Sequence, residues 1–584
     1  MPVSFDPPVR SMRFILDHVV DFEAQMAMLP GHEDTTAELG EELLTMAGRF
    51  CAERLVSLNL KGDLQGAKLV DGQVVTTEGM KEAYDEFVEG GWPSLSGDVN
   101  YGGQGLPRAL QIMLDEMVSA ANISFGLFPG LSRGAAEAVA EHGSEEIKAR
   151  YLERLITGEW SGVMALTEAH AGTDLGLLRT SAVPAGDGSY RITGTKIFIS
   201  SGDQDFGNNI IHLVLARLPD AAPGSRGISL FLVPKFLTGQ NGEFVGRNGV
   251  SVGALEKKMG IHAQPTCVMN YEAATGWLIG EPGRGLNAMF TMMNAERLFV
   301  GIQGLGLAEI AVQNAVAYAK DRRQGRGADG TGPCAIIEHA DVRRMILLGR
   351  SFIEPARALA AWTAIRMDVA ACHPDAAERN AAKADVALLT PVIKASFTDM
   401  GFETAVHAQQ VFGGHGYVWE AGMEQFVRDA RITQIYEGTN GVQAMDLVTR
   451  KITMDDGAVL QGFLDRIVAD LEKGGPDLEH ALLPAMRQAV ASLQEAGTVL
   501  LAASPEGRGA AAVNYLRLFA ITALGWMWVR IVRASLENGD DATKARYGAI
   551  ANFYAAHILP QTRALEAAIV ADPQTVMALP AELF

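Results

Sequence analysis

The 584-residue sequence has few cysteines, a deficit of basic charge and no apolar run long enough to cross a bilayer. Its four cysteines, Cys51, Cys267, Cys334 and Cys372, lie far apart. No pair has metal-ligand spacing, and a chain of this size is not built on a disulfide framework. A reducing, cytoplasmic compartment is expected. Lysine and arginine total 49 against 69 acidic residues, giving a formal net charge of -20. That balance promotes solubility and opposes non-specific binding to nucleic acid or an anionic membrane. Asp17 and His18 interrupt the apolar segment after Arg13, so no signal peptide is expected. The most apolar helix-like run, residues 518–529, is closed by Arg517 and Arg530. It falls short of the roughly 20 residues that a membrane span requires and reads as a buried helix.

Common catalytic signatures are also missing. There is no Walker lysine motif, no HExxH and no GxGxxG after a strand. Gly301, Gly304 and Gly306 lie in a helical pattern, where small residues allow close helix packing. One decoy exists: Gly130-Leu131-Ser132-Arg133-Gly134 matches GxSxG. A nucleophile elbow needs a strand before it and a parallel sheet around it. The flanks here are helical, which argues against a hydrolase.

What the chain does have is material for a large core, with 48% hydrophobic residues. Length alone suggests about three or four domains. Residues 14–156 read as helices, with Leu39, Leu43, Met46 and Phe50 at helical period. Residues 190–200, 210–218 and 227–237 are β-branched or aromatic runs separated by turn clusters, and 267–271 and 277–279 look like further strands. Residues 161–280 therefore read as an antiparallel β module, without the strand–helix alternation of a doubly wound sheet. Long helical patterns follow over 292–320, 335–369 and 376–410. The expected fold class is α+β. Its layout is an N-terminal helical domain (1–160), a β domain (161–285), a helical bundle (286–455) and a C-terminal helical region (456–584).

Five separated stretches carry chemistry. Residues 164–176 read MALTEAHAGTDLG, 196–203 read KIFISSGD, and 321–324 read DRRQ. Residues 410–416 read QVFGGHG, and 436–441 read YEGTNG. The last places one carboxylate, Glu437, between an aromatic ring and a glycine, on a turn before a helical pattern of Val442, Met445, Val448 and Ile452. A first-turn acid that favours the helix dipole is the plain structural reading of Glu437.

Together, in this order and in an α–β–α frame, the five stretches resemble the acyl-CoA dehydrogenase family over residues 40–455. The resemblance implies an FAD-dependent enzyme. It places Met164, Leu166, Thr167, Gly172 and Thr173 along the cofactor, with Thr173 also toward CoA. Phe198 and Ser200 stand where the family has Trp and Thr over the flavin. Arg322, Gln410 and Gly414 match contacts to the FAD of a neighbouring subunit, so a homo-oligomer, with a dimer favoured, is implied. Thr439 matches a further FAD contact, and Arg297 and Tyr436 match contacts on the substrate side. Glu437 matches the base that removes the α-proton of the thioester. A carboxylate enclosed between Tyr436, flavin and substrate is desolvated, which raises its basicity. Some members place the base at the position of Glu296, which is present too.

His262 stands where the family usually has Arg, which leaves a CoA or structural contact there open. The extra length and the stretches KMGIHAQPTCVM and MNAERLFVGIQG resemble bacterial dehydrogenases of the 3-methylmercaptopropionyl-CoA type. A short acyl chain is expected, with Met117 and Phe125 near its tail, and an electron-transferring flavoprotein as acceptor. An oxidase of the same fold, or a non-catalytic flavoprotein that binds nucleic acid, are the alternatives.

Overall fold

The computed structural model describes residues 3–239, 242–328, 330–475 and 482–584. In chain order its main elements begin with α1 (Ala37–Phe50), the hairpin β1 (Lys68–Val70) and β2 (Gln73–Val75), α2 (Arg108–His142) and α3 (Glu145–Ile156). Strands follow: β3 (Trp160–Ala165), β4 (Ser181–Pro184), β5 (Tyr190–Ser200), β6 (Asn209–Arg217), β7 (Ile228–Pro234), β8 (Phe236–Thr238), β9 (Phe244–Arg247), β10 (Val250–Leu255) and β11 (Thr266–Ile279). Then come α4 (Gly285–Asp321), α5 (Ala340–Cys372), α6 (Ala376–Val411), α7 (Met423–Thr433) and α8 (Asn440–Asp446). The C-terminal region adds α9 (Ala458–Glu472), α10 (Leu483–Ala502), α11 (Pro505–Asn538), α12 (Asp541–His557) and α13 (Gln561–Ile569). These elements form two compact units. One comprises Phe50–Leu106 and Ala121–Phe299, the other Met1–Arg49, Pro107–Ala120 and Val300–Phe584.

The first unit is built on a seven-stranded sheet in the order β10-β11-β5-β4-β6-β3, with β7 between β11 and β6. β7 is buried along its whole length and β6 along nearly all of it. They read as continuous apolar runs because both sheet faces are covered. One face packs Tyr151, Leu155 and Met289 against Leu213 and Leu230. The other gathers Ile192, Val214, Phe231 and Tyr271. Most pairings are antiparallel, but β3 runs parallel to β6. The chain has crossed through β4 and β5 between them, which a parallel pair requires. The two strands expected at 267–271 and 277–279 are one strand, β11, with register shifts inside it. β1 and β2 add a hairpin within the stretch read as purely helical.

The second unit is helical. α4 and α6 approach closely because glycine lines the contact. A Cβ on Gly304 would sit 2.5 Å from the Phe397 carbonyl oxygen, and one on Gly401 2.4 Å from the Gly304 oxygen. Gly301 meets Ile393 and Gly306 meets the Glu116 oxygen in the same way. A buried ion cluster ties the unit together. Arg357 donates to Glu116 at 2.9 and 3.0 Å, to Glu309 at 2.8 Å and to Ser11 at 3.0 Å. Arg350 donates to Glu309 at 2.7 Å, and Arg546 of α12 pairs with Glu354. The C-terminal helices are anchored by indole N–H donors: Trp526 to Asp470 at 2.8 Å and Trp528 to the Ser351 carbonyl at 2.9 Å. The run 518–529 lies inside α11 and is buried throughout, between the half-buried Arg517 and Arg530. α4 and α11 are long and apolar enough to cross a membrane by composition, yet 89% and 83% of their most apolar windows are buried in the fold.

Two periodicity readings need correction. In α1 the buried face is Gly40, Leu44, Ala47 and Gly48, whereas Leu39 and Met46 are exposed. Small residues win that face because a Cβ on Gly48 would lie 2.6 Å from Pro7. Past the YEGTNG turn, α8 does form, but it buries Gln443, Ala444 and Asp446, and leaves Met445 exposed. A π-type turn over Leu447–Lys451 follows, which shifts the 3.6 spacing.

Candidate active site

In the sheet-bearing unit, the end of β3 and the loop after it meet β5. The Ile197 N–H donates to the Thr167 carbonyl at 2.9 Å. Lys196 Nζ reaches under this contact, donating to the Leu166 carbonyl at 2.8 Å and to Glu168 Oε1 at 2.9 Å. Glu168 also accepts from the N–H groups of Arg179 and Thr180 and from the Thr180 hydroxyl. Burial alone would raise the Glu168 carboxyl, but Lys196, Thr180 and Arg179 outweigh it and hold it at about 2. Burial brings the Lys196 ammonium down to about 8 despite the Glu168 charge.

This buried pair fixes two segments that carry expected cofactor residues: Met164, Leu166 and Thr167 on one, Phe198 and Ser200 on the other. Opposite Cys267 and Met269 the register of β5 advances by one extra residue, from Lys196 to Ile199. That bulge puts Phe198 in the left-handed region (φ 59°) and turns its ring outward, 60% exposed. A bulky residue in that conformation, with an aromatic ring facing out, is a strained and re-aimed side chain. Thr167 and Ser200 are half-buried, and Gly172 and Thr173 are exposed, with no heavy atom within 4 Å of where a Cβ on Gly172 would lie. An exposed aromatic face, two hydroxyls and open backbone fit the donor and stacking set that a flavin nucleotide needs.

The same unit holds three other expected residues. Glu296 is buried, 2% exposed, deep inside α4, and packs on Gly134. The helix begins well upstream, at Gly285, so Glu296 is not in its first turn. Arg297 is buried as well, with NH1 3.3 Å from Asn294 and its guanidinium 5.9 Å from the Phe290 ring. His262 bridges segments: Nδ1 lies 2.8 Å from Asp63 Oδ1, and Nε2 lies 2.9 Å from the Lys258 carbonyl. Ser132, the decoy serine, sits in α2 with its hydroxyl donating to the Phe128 carbonyl at 2.8 Å, so there is no nucleophile elbow.

In the helical unit the end of α4 meets the turn after α6. Tyr318, one turn before Arg322, stacks on Phe412 with centroids 4.1 Å apart, and its hydroxyl lies 3.2 Å from His415 Nδ1. Arg322, Gln410 and Gly414 are all exposed around this contact.

Glu437 lies on the loop between α7 and α8, before the N-cap Thr439 rather than in the first helical turn. Thr439 caps α8 through its hydroxyl, which accepts from the Val442 N–H at 3.3 Å. Glu437 is half-buried and left-handed (φ 56°), and Gly438 continues in that region (φ 84°). The Tyr436 hydroxyl donates to Gln303 Oε1. Asn440 is pinned on α6, accepting from Lys394 Nζ at 2.9 Å and donating to Thr398 at 2.9 Å and Asp399 at 2.7 Å. A cavity of about 160 Å³ lies between this stretch of α6, Asn440 and Gly441, and Val513, Leu516 and Arg517 of α11. Sequence reading did not single out Lys196, Glu168, Gln303, Lys394 or Gln443 as functional. Lys196 and Glu168 lie inside the quoted motifs, so an unpaired buried charge in either strand or loop was the available signal. Gln303 and Gln443 gave none.

Comparison with known proteins matches this arrangement. Acyl-CoA dehydrogenase N-terminal, middle and C-terminal domain models match residues 40–159, 163–274 and 283–452. A model described as acetyl-CoA dehydrogenase C-terminal like matches 463–580. The 3-methylmercaptopropionyl-CoA dehydrogenase of Ruegeria pomeroyi is 43% identical over 92% of this chain and 93% of its own length. A butyryl-CoA dehydrogenase of Syntrophomonas wolfei is 37% identical over 72% of this chain and 71% of its own. An acyl-CoA dehydrogenase from Bacillus anthracis, solved with FAD, superposes with a TM-score of 0.74 at 20% identity, covering 97% of this chain and 94% of its own. With near-full-length identity at that level and matched domain models along the chain, the protein belongs to the acyl-CoA dehydrogenase family of oxidoreductases.

Proposed function

We propose that the protein is an FAD-dependent dehydrogenase that desaturates a short acyl-CoA thioester between its α and β carbons. The observation that carries the reading is Glu437: a half-buried carboxylate held in a disfavoured backbone conformation on an interhelical loop. Such strain persists where the surroundings over-determine it, and it concentrates at functional sites. FAD is the family's cofactor, and when bound it supplies the hydride acceptor. Thr167, Thr173, Phe198 and Ser200 would hold it, with Met164, Leu166, Gly172 and Thr439, and Phe198 would cover the ring face. Glu437 takes the α-proton, and its own N–H polarises the thioester carbonyl as an oxyanion-hole donor does. Tyr436 and Thr173 border the substrate; Arg297, being buried, would have to act on CoA from within the fold.

A short chain is supported by what the similar enzymes are named for, 3-methylmercaptopropionyl-CoA and butyryl-CoA. Met117 and Phe125, expected near the acyl tail, are both fully buried. Exposure of Arg322, Gln410 and Gly414 supports an oligomer in which they serve the FAD of a second copy. We assign an electron-transferring flavoprotein as acceptor and the cytoplasm as compartment, the latter supported by four free cysteines.

The test is anaerobic reduction of the flavin by a panel of acyl-CoA thioesters. Bleaching by 3-methylmercaptopropionyl-CoA or butanoyl-CoA, with slow reoxidation on admitting air, is expected. Fast reoxidation by air makes the enzyme an oxidase. Higher kcat/KM with palmitoyl-CoA than with butanoyl-CoA contradicts the short chain.

A further inference from the structure

Two successive left-handed residues, Glu437 and Gly438, need a restraint, because a Cβ disfavours this region and only Gly438 lacks one. Tyr436 and Asn440, on either side of these residues, are tied to α4 and α6. Gln443, in the first turn of α8, donates through Nε2 to the Glu437 carbonyl at 3.1 Å and to the Gly438 carbonyl at 3.4 Å. Its own N–H is bonded to the Thr439 carbonyl at 3.0 Å, which fixes where the side chain starts. The side chain is fully buried, and its Oε1 has no hydrogen-bond partner among the described residues. An amide buried with an unbonded acceptor is disfavoured against an apolar residue of the same shape. Its donor end is what this position uses.

We propose that Gln443 is the positioning residue of the base. By holding both carbonyls it locks Glu437 in the left-handed conformation and so sets where the carboxylate and the Glu437 N–H point. The proposal rests on the reading of Glu437 as the base.

Gln443→Met keeps the shape and removes the donor. With FAD retained and KM for butanoyl-CoA near native, the rate of flavin reduction should fall about 100-fold, the loss that a small misplacement of a catalytic group produces. Gln443→Glu, which when ionised offers only acceptors to two carbonyls, should show the same loss. A role confined to packing would spare the Met variant. A second readout needs no turnover. Glu437→Gly relieves the left-handed conformation and should raise Tm in the native background, but not in the Gln443→Met background, where the loop has already relaxed. Native reduction rates in the Met and Glu variants, or an equal Tm rise in both backgrounds, overturn the proposal. If no acyl-CoA reduces the wild-type flavin, the functional reading falls instead, and the Tm cycle still decides the role of Gln443.

Discussion

Lys196 Nζ lies 2.9 Å from Glu168 Oε1, and both side chains are buried where the loop after β3 meets β5. Removing one partner of such a pair leaves an uncompensated buried charge. Lys196→Met should therefore destabilise the protein by about 3–5 kcal/mol and release FAD, because the two segments carrying Thr167 and Phe198 lose their common anchor. Chemical denaturation and the flavin-to-protein absorbance ratio check both effects.

The same pair gives a pH dependence with a definite sign. Glu168 is held at about 2 in the fold against an ordinary 4.5. A depressed carboxyl contributes stability above its unfolded value and loses it as pH falls through its folded value. Tm should therefore drop between pH 4.5 and about 2. That drop should be smaller in a Glu168→Gln, Lys196→Met double variant, which has no charge left to titrate there.

Glu437→Gln should keep FAD and acyl-CoA binding while flavin reduction slows by about 10²–10⁴-fold or more, the range of general-base catalysis. Glu296→Gln should cost far less, because Glu296 is buried against Gly134 rather than presented on a loop. Stopped-flow reduction of both variants decides it. A near-native Glu437→Gln alongside an inert Glu296→Gln would exchange the two roles.

Arg322→Ala should lose FAD and weaken self-association together, since Arg322 is exposed, as are Gln410 and Gly414, and is assigned to a second copy's cofactor. Sedimentation velocity with flavin absorbance follows both at once. A fully flavinylated, active monomer would sink the assignment.

Gly304→Ala should destabilise the helical unit by about 1–3 kcal/mol, the usual range for overpacking, because the new Cβ meets backbone rather than a yielding side chain. The contact is the Phe397 carbonyl oxygen at 2.5 Å. Exposed Gly462, which has no atom within 4 Å of a Cβ, is the control: Gly462→Ala should not destabilise.

The sequence by itself determined the α–β–α order, the strand Tyr190–Ser200 and the long helices, since period and turn residues are local properties. It also determined the family and therefore the list of site candidates, because the five motifs are contiguous strings whose order survives without coordinates. Tertiary structure decided what depends on a neighbour distant in the chain. The buried face of α1 went to Gly40 and Gly48 instead of Leu39 and Met46, because close approach to Pro7 and Leu110 selects small residues over apolar ones. β3 became the parallel neighbour of β6, which pattern within either strand does not encode. The left-handed turns of Phe198 and Glu437 also arise only in the fold. A one-residue bulge opposite β11 makes the first, and a glutamine six residues downstream bonds the second. Gln443 looks like any polar helix residue until the fold buries its amide under the carbonyl of the residue it holds.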